Sequence, residues 1–199
     1  QDKLSCSQTL RRFGLPQLRI KPVRCRADVN NVMSAWGCDE IVLKPRRGTQ
    51  GRGVTRVSVE ALQEAQLSAY FSEYGEVVAQ PFVTLTHPRD LRVLVMEGEP
   101  LAHCLRIATP GEFRTNVHLG ARTEATAIDE ATQKLAVAAC EALNLSFGGV
   151  DLLPTSDGYV ILEVNGSPGL EGIERATGRN LAAEVIGWFL RRQRRLLRD

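Results

Sequence analysis

The sequence predicts an α+β fold, and three observations point there. Strands recur as neighbours in hairpins, Leu91–Met96 with Leu101–Ile107 around Glu97-Gly98-Glu99-Pro100, and Val150–Leu153 with Tyr159–Val164 around Thr155-Ser156-Asp157-Gly158. Amphipathic helices are mixed among them, the clearest at Ala125–Leu143, where Leu135, Ala139 and Leu143 share one stripe. The recurring hairpins favour α+β over a purely wound parallel sheet. The 199 residues suffice for one sizeable domain or two small lobes.

Taken in order, residues 2 to 13 (DKLSCSQTLRRF) read as a short helix stopped by Gly14 and Pro16. Leu18–Val23 is a short extended piece. Ala27–Trp36 is helical, with Gly37 as terminator. Glu40–Pro45 is a strand, because branched aliphatic residues run straight to a proline. Arg46–Gly53 is a glycine loop, and Val54–Val57 is the returning strand. Val59–Phe71 is an amphipathic helix. Val77–Val83 is a strand interrupted by Pro81, which lacks an N–H and so marks a strand end or edge. Thr109–Gly120 has no clean period and reads as a long polar loop of the kind that carries function. Asn180 to about Leu197 is the last helix, with Leu181, Val185, Trp188 and Phe189 on its apolar side.

Composition narrows the class. Hydrophobic residues make up 43% and charged residues 24%, ordinary for a globular protein. Net charge is only +2, and five arginines (191, 192, 194, 195 and 198) crowd the C-terminal end. Cations are favoured at a helix C-terminus, and no tryptophan or tyrosine is interleaved for base stacking. The cluster therefore reads as a solvated helix end, and nucleic-acid binding is not expected. Cysteines 6, 25, 38, 104 and 140 form no CxxC pair and are odd in number, which argues against a disulfide framework or a cysteine zinc site. Cys104 and Cys140 sit in apolar runs and read as small core residues. Without a leader peptide or an apolar run of membrane length, the chain is expected to be cytoplasmic, with no membrane role. The helical pattern already under way at Gln1 predicts a natural N-terminus upstream. Histidines 87, 103 and 118 show no ligand spacing, although His118 falls in the long loop.

The stretch Ile161–Gly169 (ILEVNGSPG) carries the chemistry. With Ser156-Asp157-Gly158 as a three-residue turn, Asp151 falls across from Glu163, and Leu153 across from Ile161. Asn165 lies two residues beyond Glu163 on the same face. Two opposed carboxylates repel, and no lysine or arginine lies on that face of the hairpin. Two readings stand on the residues alone. Asp151, Glu163 and Asn165 are hard oxygen ligands suited to Mg2+ or Mn2+. Alternatively, Asp151 opens a turn region and Asn165 caps a strand.

A metal of that kind is usually bound with phosphates. Lys44 precedes the loop RRGTQGRG, whose glycines 48, 51 and 53 free backbone amides to curl round an anion. The loop matches neither the P-loop nor the dinucleotide fingerprint, and a plain glycine-rich turn fits it as well. Arg92 and Arg106 alternate with apolar neighbours and Arg114 lies in the irregular segment; one such arginine usually marks a solvated sheet face, while three with Lys44 and the carboxylate hairpin could clamp a triphosphate and an acyl phosphate.

Lys44-Pro45, GTQGRGV, Gln80-Pro81-Phe82-Val83 and the run Arg89–Val95 resemble the ATP-grasp superfamily. The blocks GEFRTNVHLG, FGGVDLL and LEVNGSPGLEGIERATG resemble its RimK-like branch. These are ATP-dependent ligases that add L-glutamate to a carboxylate of a protein or small-molecule acceptor. The resemblance implies two α/β lobes with antiparallel sheets enclosing the nucleotide. Residues 1–20 would lead in, 21–83 form the first lobe, and 84–199 form the second with the metal site and last helix. The small domain that precedes this portion in the family would be absent. Lys44 would contact ATP phosphates and the adenine side, and Gly48, Thr49, Gln50, Gly51, Arg52 and Gly53 would cover the phosphates. Gln80, Pro81, Phe82 and Val83 would hold adenine through backbone groups, and Asp90 would lie near the ribose. Asp151, Glu163 and Asn165 would hold magnesium, commonly two ions. Arg106 would sit by the γ-phosphate and intermediate, with Arg92, Arg114 and Asn116 on phosphate or the amino acid. Pro81 stands where the family commonly has an acidic residue, so adenine must use a neighbouring amide. A weakly active or non-catalytic ATP-binding unit, another amine substrate and a homo-oligomer are left open.

Overall fold

The computed structural model describes residues 2–48, 50–58 and 63–196, the last three of these by backbone alone. Two antiparallel sheets organise the chain. The first has four strands: β1 (Lys21–Val23), β2 (Glu40–Pro45), β3 (Thr55–Ser58) and β4 (Val77–Pro81), in the order β1-β4-β2-β3. The second has five: β5 (Arg89–Met96), β6 (Glu99–Ile107), β7 (Arg122–Glu124), β8 (Phe147–Thr155) and β9 (Gly158–Asn165), in the order β7-β6-β5-β8-β9.

Helix α1 (Lys3–Arg12) starts where the Asp2 carboxylate accepts from the amides of Leu4 and Ser5. Its Leu10 is buried against the second sheet, although the chain goes on to build the first. The connector between them runs parallel to β9, with Ile161 N–H donating to the Pro16 carbonyl and Leu18 N–H to that of Ile161. Helices α2 (Arg26–Trp36) and α3 (Glu64–Tyr74) contribute Val29, Met33 and Leu67 to the core over the first sheet. Gly37 closes α2 in the left-handed conformation, as its sequence position suggests. The start expected for α3, at Val59–Leu62, lies outside the described residues, and the helix runs on to Tyr74.

β4 ends at Pro81 and not at Val83, so the proline marks a strand end, as its missing N–H suggests. β4 is an interior strand, flanked by β1 and β2. Pro81 is tolerated because it is the last residue of β4, beyond the Ala79–Lys21 pair where β1 stops. Helix α4 (Glu130–Ala142) starts five residues later than its apolar pattern suggests, because Asp129 caps it by accepting from the Thr132 amide at 2.7 Å.

The second sheet is covered on both faces. Leu91, Val93 and Val95 of β5 pack with Ala136, Ala139 and Cys140 of α4. Leu94 faces the other way, with Ala102 and Cys104 of β6, under Ile173 of α5 (Glu171–Thr177) and Leu181 of α6 (Leu181–Leu196). Alternation puts Asp90 and Arg92 on that second face, beyond the end of the apolar cover. The sequence thus leaves one half of a buried face polar, and the site forms there. Among the described residues no helix is long and apolar enough to cross a membrane.

Candidate active site

A cavity of about 590 Å³ opens between the two sheets. That volume falls in the range of small-molecule sites. The first sheet supplies Lys44, Gln80, Pro81, Phe82 and Val83, and the glycine loop supplies Gly48, Gln50, Gly51 and Arg52. The second sheet supplies Asp90, Arg92, Arg106, Asp151, Glu163 and Asn165, and the 109–120 segment supplies Arg114, Asn116 and His118. Residues chosen from distant parts of the sequence therefore share one chamber. Thr49 lies outside the described residues. Gly53 does not line the chamber. A Cβ there would fall 2.7 Å from both Pro45 Cγ and Tyr74 Cε1, so this glycine seats the base of the loop against α3.

The register of the β8–β9 hairpin is reached differently from the expected route. The turn holds two residues, Ser156-Asp157, with Thr155 opposite Gly158. Leu153 then faces Val160, not Ile161. A bulge at Leu162 adds one residue to β9 and restores Asp151 opposite Glu163, with Asn165 opposite Gly149. The expected opposition of carboxylates stands, carried by the bulge instead of a longer turn.

Neighbouring strands supply the cations that the hairpin itself lacks. Arg92, across from Asp151 on β5, makes a bidentate pair with it, Nε to Oδ1 and Nη2 to Oδ2, both at 2.7 Å. Arg106 Nη2 reaches Asp151 Oδ2 at 3.0 Å. Burial works to raise the Asp151 carboxyl, but Arg106 and then Arg92 outweigh it and hold it down to about 2. Both Asp90 oxygens are engaged within the protein: Arg106 donates to each, and Thr115 donates its hydroxyl to one of them. Burial pushes the Asp90 carboxyl up, against the pull of Arg106.

Lys44 is the counterpoint. Burial lowers its pKa, and Glu163 opposes that only in part. Among the described residues its ammonium has no hydrogen-bond or ion-pair partner. Beside it on the same face, the Gln80 side-chain oxygen is buried without a donor. A buried acceptor without a donor, beside an amine without a direct partner, marks a place suited to a polar ligand.

The 109–120 segment is ordered by its own charges. Arg114 donates Nε and Nη2 to Glu112 at 3.0 and 2.6 Å, and Nη1 to the Gly51 carbonyl at 3.3 Å. Arg114 holds the Glu112 carboxyl down to about 2. Asn116 caps the 3₁₀ turn Val117–Leu119 by accepting from the His118 amide. Phe113 meets Phe82 edge-on at 5.8 Å, joining the segment to the first sheet.

Sequence reasoning missed three residues here. Lys3 lines the cavity, 3.9 Å from Glu163 and 3.4 Å from the Gly48 carbonyl. Its signal was the Asp2 cap, which fixes Lys3 in the first turn facing the loop. Glu112 and Thr115 were passed over as loop polars. Their signal was spacing, since each sits within two residues of Arg114.

Among the described residues, no three His, Cys, Asp or Glu side chains gather as a metal cluster. A cation here would rest on two carboxylates and the Asn165 amide.

A sequence model of the RimK-like ATP-grasp domain matches residues 1–189. The chain is 37% identical over 186 residues to a probable alpha-L-glutamate ligase of Parasynechococcus marenigrum, covering 94% of this chain and 40% of that protein. It is 36% identical over 191 residues to one of Rhodopirellula baltica, covering 95% of this chain and 47% of that protein. It is 34% identical over 186 residues to one of Aeromonas salmonicida, covering 94% of this chain and 62% of that protein. The chain thus spans roughly half the length of these relatives. Among solved structures, it is similar to D-cycloserine synthetase DcsG, with a TM-score of 0.71 at 22% identity, over 87% of this chain and 65% of that one. The ATP-grasp ligase PsnB, complexed with a phosphomimetic variant of its minimal precursor, Mg and ADP, gives 0.69 at 22% identity, over 90% and 54%. At such identities the structures show the shared two-lobe fold.

Proposed function

The chain belongs to the RimK-like ATP-grasp domain family, and on that premise we propose that it is the nucleotide-binding part of an ATP-dependent carboxylate–amine ligase. The amine is L-glutamate, as the relatives' names suggest, and the acceptor is a carboxylate on a protein or small molecule. The observation that carries this reading is Lys44, a part-buried amine with no direct hydrogen bond or ion pair among the described residues, lining the same chamber as Asp151 and Glu163. A triphosphate supplies the missing negative charge.

The rest of the chamber fits a nucleotide. The Phe82 amide already donates to the Glu40 carbonyl, and Pro81 has no N–H. The Val83 amide is therefore the first on that edge left for a purine, and the Gln80 oxygen waits for a donor such as an exocyclic amine. Loop amides around Gly48–Gly51 can cover phosphates. Asp151, Glu163 and Asn165 would hold Mg2+ or Mn2+. The metal would supply counter-charge to the phosphate oxygens during transfer.

In this reading the acceptor carboxylate takes the γ-phosphoryl group and ADP departs. The glutamate amine then attacks the acyl carbon, and inorganic phosphate leaves as the amide forms. Arg106, oriented by two carboxylates, stabilises the negative charge that develops at each stage. Arg114 and Asn116, which line the chamber, hold the glutamate. The experiment is incubation of the chain with MgATP, L-glutamate and a panel of carboxylate acceptors, with ADP release and product mass measured. ADP release that needs amine and acceptor, with one glutamyl unit added to the acceptor, is the expected result. Nucleotide binding without turnover makes the chain a binding module. Product formed only with another amine replaces glutamate.

A further inference from the structure

We propose that Asp90 and Thr115 are positioning residues, through which the 109–120 segment is locked to the guanidinium of Arg106. The inference rests on the ligase reading for what Arg106 does, but its geometry stands alone. Asp90 and Arg106 face each other across the β5–β6 ladder, 1% and 7% exposed. Arg106 donates Nε to Asp90 Oδ1 at 2.6 Å and Nη2 to Oδ2 at 2.5 Å, and the same Nη2 lies 3.0 Å from Asp151 Oδ2. Nη1 is the one guanidinium nitrogen without a partner among the described residues. Two fixed carboxylates thus set the plane of a buried cation and leave a single nitrogen for a ligand, in a residue that lines the chamber.

The second half of the lock is Thr115. Its hydroxyl donates to Asp90 Oδ2, the oxygen that already accepts from Arg106 Nη2. Thr115 stands between Arg114 and Asn116, both of which line the chamber. One buried carboxylate therefore anchors a sheet arginine and a segment that has no ladder of its own. A hydrogen bond to a charged acceptor is among the stronger single contacts available to a loop. Any ligand that draws on Arg106 is felt by the segment carrying Arg114, and the reverse holds.

The test compares Thr115→Val, Thr115→Ser and Asp90→Asn in the full chain, by amide hydrogen exchange over residues 109–120 and by steady-state kinetics of ADP formation. Thr115→Val is isosteric and removes the donor, so exchange in the segment should speed up by about tenfold or more, while β5 and β6 stay protected. Thr115→Ser restores the hydroxyl and should restore protection. Both Thr115→Val and Asp90→Asn should lower kcat by roughly tenfold or more with KM for ATP within about twofold. Unchanged exchange in Thr115→Val overturns the inference. So does Thr115→Ser behaving like Thr115→Val, which would make the role one of packing. A rise in KM for ATP without a fall in kcat for Asp90→Asn returns that residue to the nucleotide sugar. If Asp90→Asn does not fold, the Thr115 pair decides alone. If the wild-type chain turns over no ATP, the ligase reading fails, and exchange in the Thr115 variants still decides this inference.

Discussion

Lys44 is a part-buried amine whose pKa burial lowers, with no direct hydrogen bond or ion pair among the described residues. Such a group costs stability and is kept for what it binds. Lys44→Met should therefore move two measurements in opposite directions. The thermal midpoint of the ligand-free chain should rise, and nucleotide affinity, read by titration calorimetry, should fall by about tenfold or more. A fall in both would make Lys44 structural. Glu112 offers a test by pH. Its carboxyl is lowered from 4.5 to about 2, first by the Arg114 side chain. A depressed acid contributes order that is present above its unfolded value and is lost as pH falls through its folded one. The Glu112 carboxyl carbon shift should titrate near the lower value, and the Arg114 contacts should loosen only there. A midpoint near 4.5 would show that the pair does not form in solution.

The β8–β9 hairpin depends on close approaches that leave little slack. A Cβ on Gly149 would lie 2.6 Å from Pro168 Cβ, and one on Gly148 would lie 2.8 Å from Cys140 Sγ. Pro168 follows the chamber end of β9, so Gly149 lets the chain fold back over β8. Gly149→Ala should cost about 1–3 kcal/mol by denaturant unfolding and displace Asn165, which pairs with it. Wild-type stability in that variant would refute the packing account. This hairpin also marks how far the sequence could be read. Asp151 opposite Glu163 was legible, yet the turn was one residue too long and the bulge at Leu162 was not foreseen, two errors that cancel in register. Nothing in a run such as Val160-Ile161-Leu162 signals which residue will be extruded, because the partners of β9, β8 on one side and the connector at Ile161 on the other, are set by the tertiary fold. Where local chemistry decides, the reading was close. β2 is bounded as its aliphatic run and proline indicate, and Gly37 ends α2. Where a cap competes with an apolar pattern, as Asp129 does before α4, the cap sets the start. The arginine partners of Asp151 were missed because they arrive from β5 and β6, whose order beside β8 the sequence does not state.

At the scale of the molecule, α1 ties the sheets together. Its Leu10 packs with the second sheet, while Asp2 at its N-terminus pairs with Arg46 at the end of β2, and Lys3 N–H donates to the Arg46 carbonyl. The connector then borders β9 before entering the first sheet as β1. Phe82 against Phe113 and Arg114 against Gly51 close the opposite side. The chamber is therefore bounded by contacts between segments far apart in the chain, which is why its residues are so widely spaced in sequence. At the far end, Arg192 docks on Glu97 and the Trp188 ring, so one arginine of the terminal cluster is already engaged within the fold. In the proposed ligase, this chamber takes a metal–triphosphate between Lys44 and the β8–β9 carboxylates. The most direct measurement is a crystal structure with Mn2+ and a non-hydrolysable ATP analogue, with manganese located by anomalous scattering. Manganese should lie about 2.1 Å from oxygens of Asp151, Glu163 and Asn165, with Lys44 on phosphate and Arg92 released from at least one oxygen of Asp151. Manganese elsewhere, with Arg92 still bidentate on Asp151 and Lys44 unengaged, would contradict it.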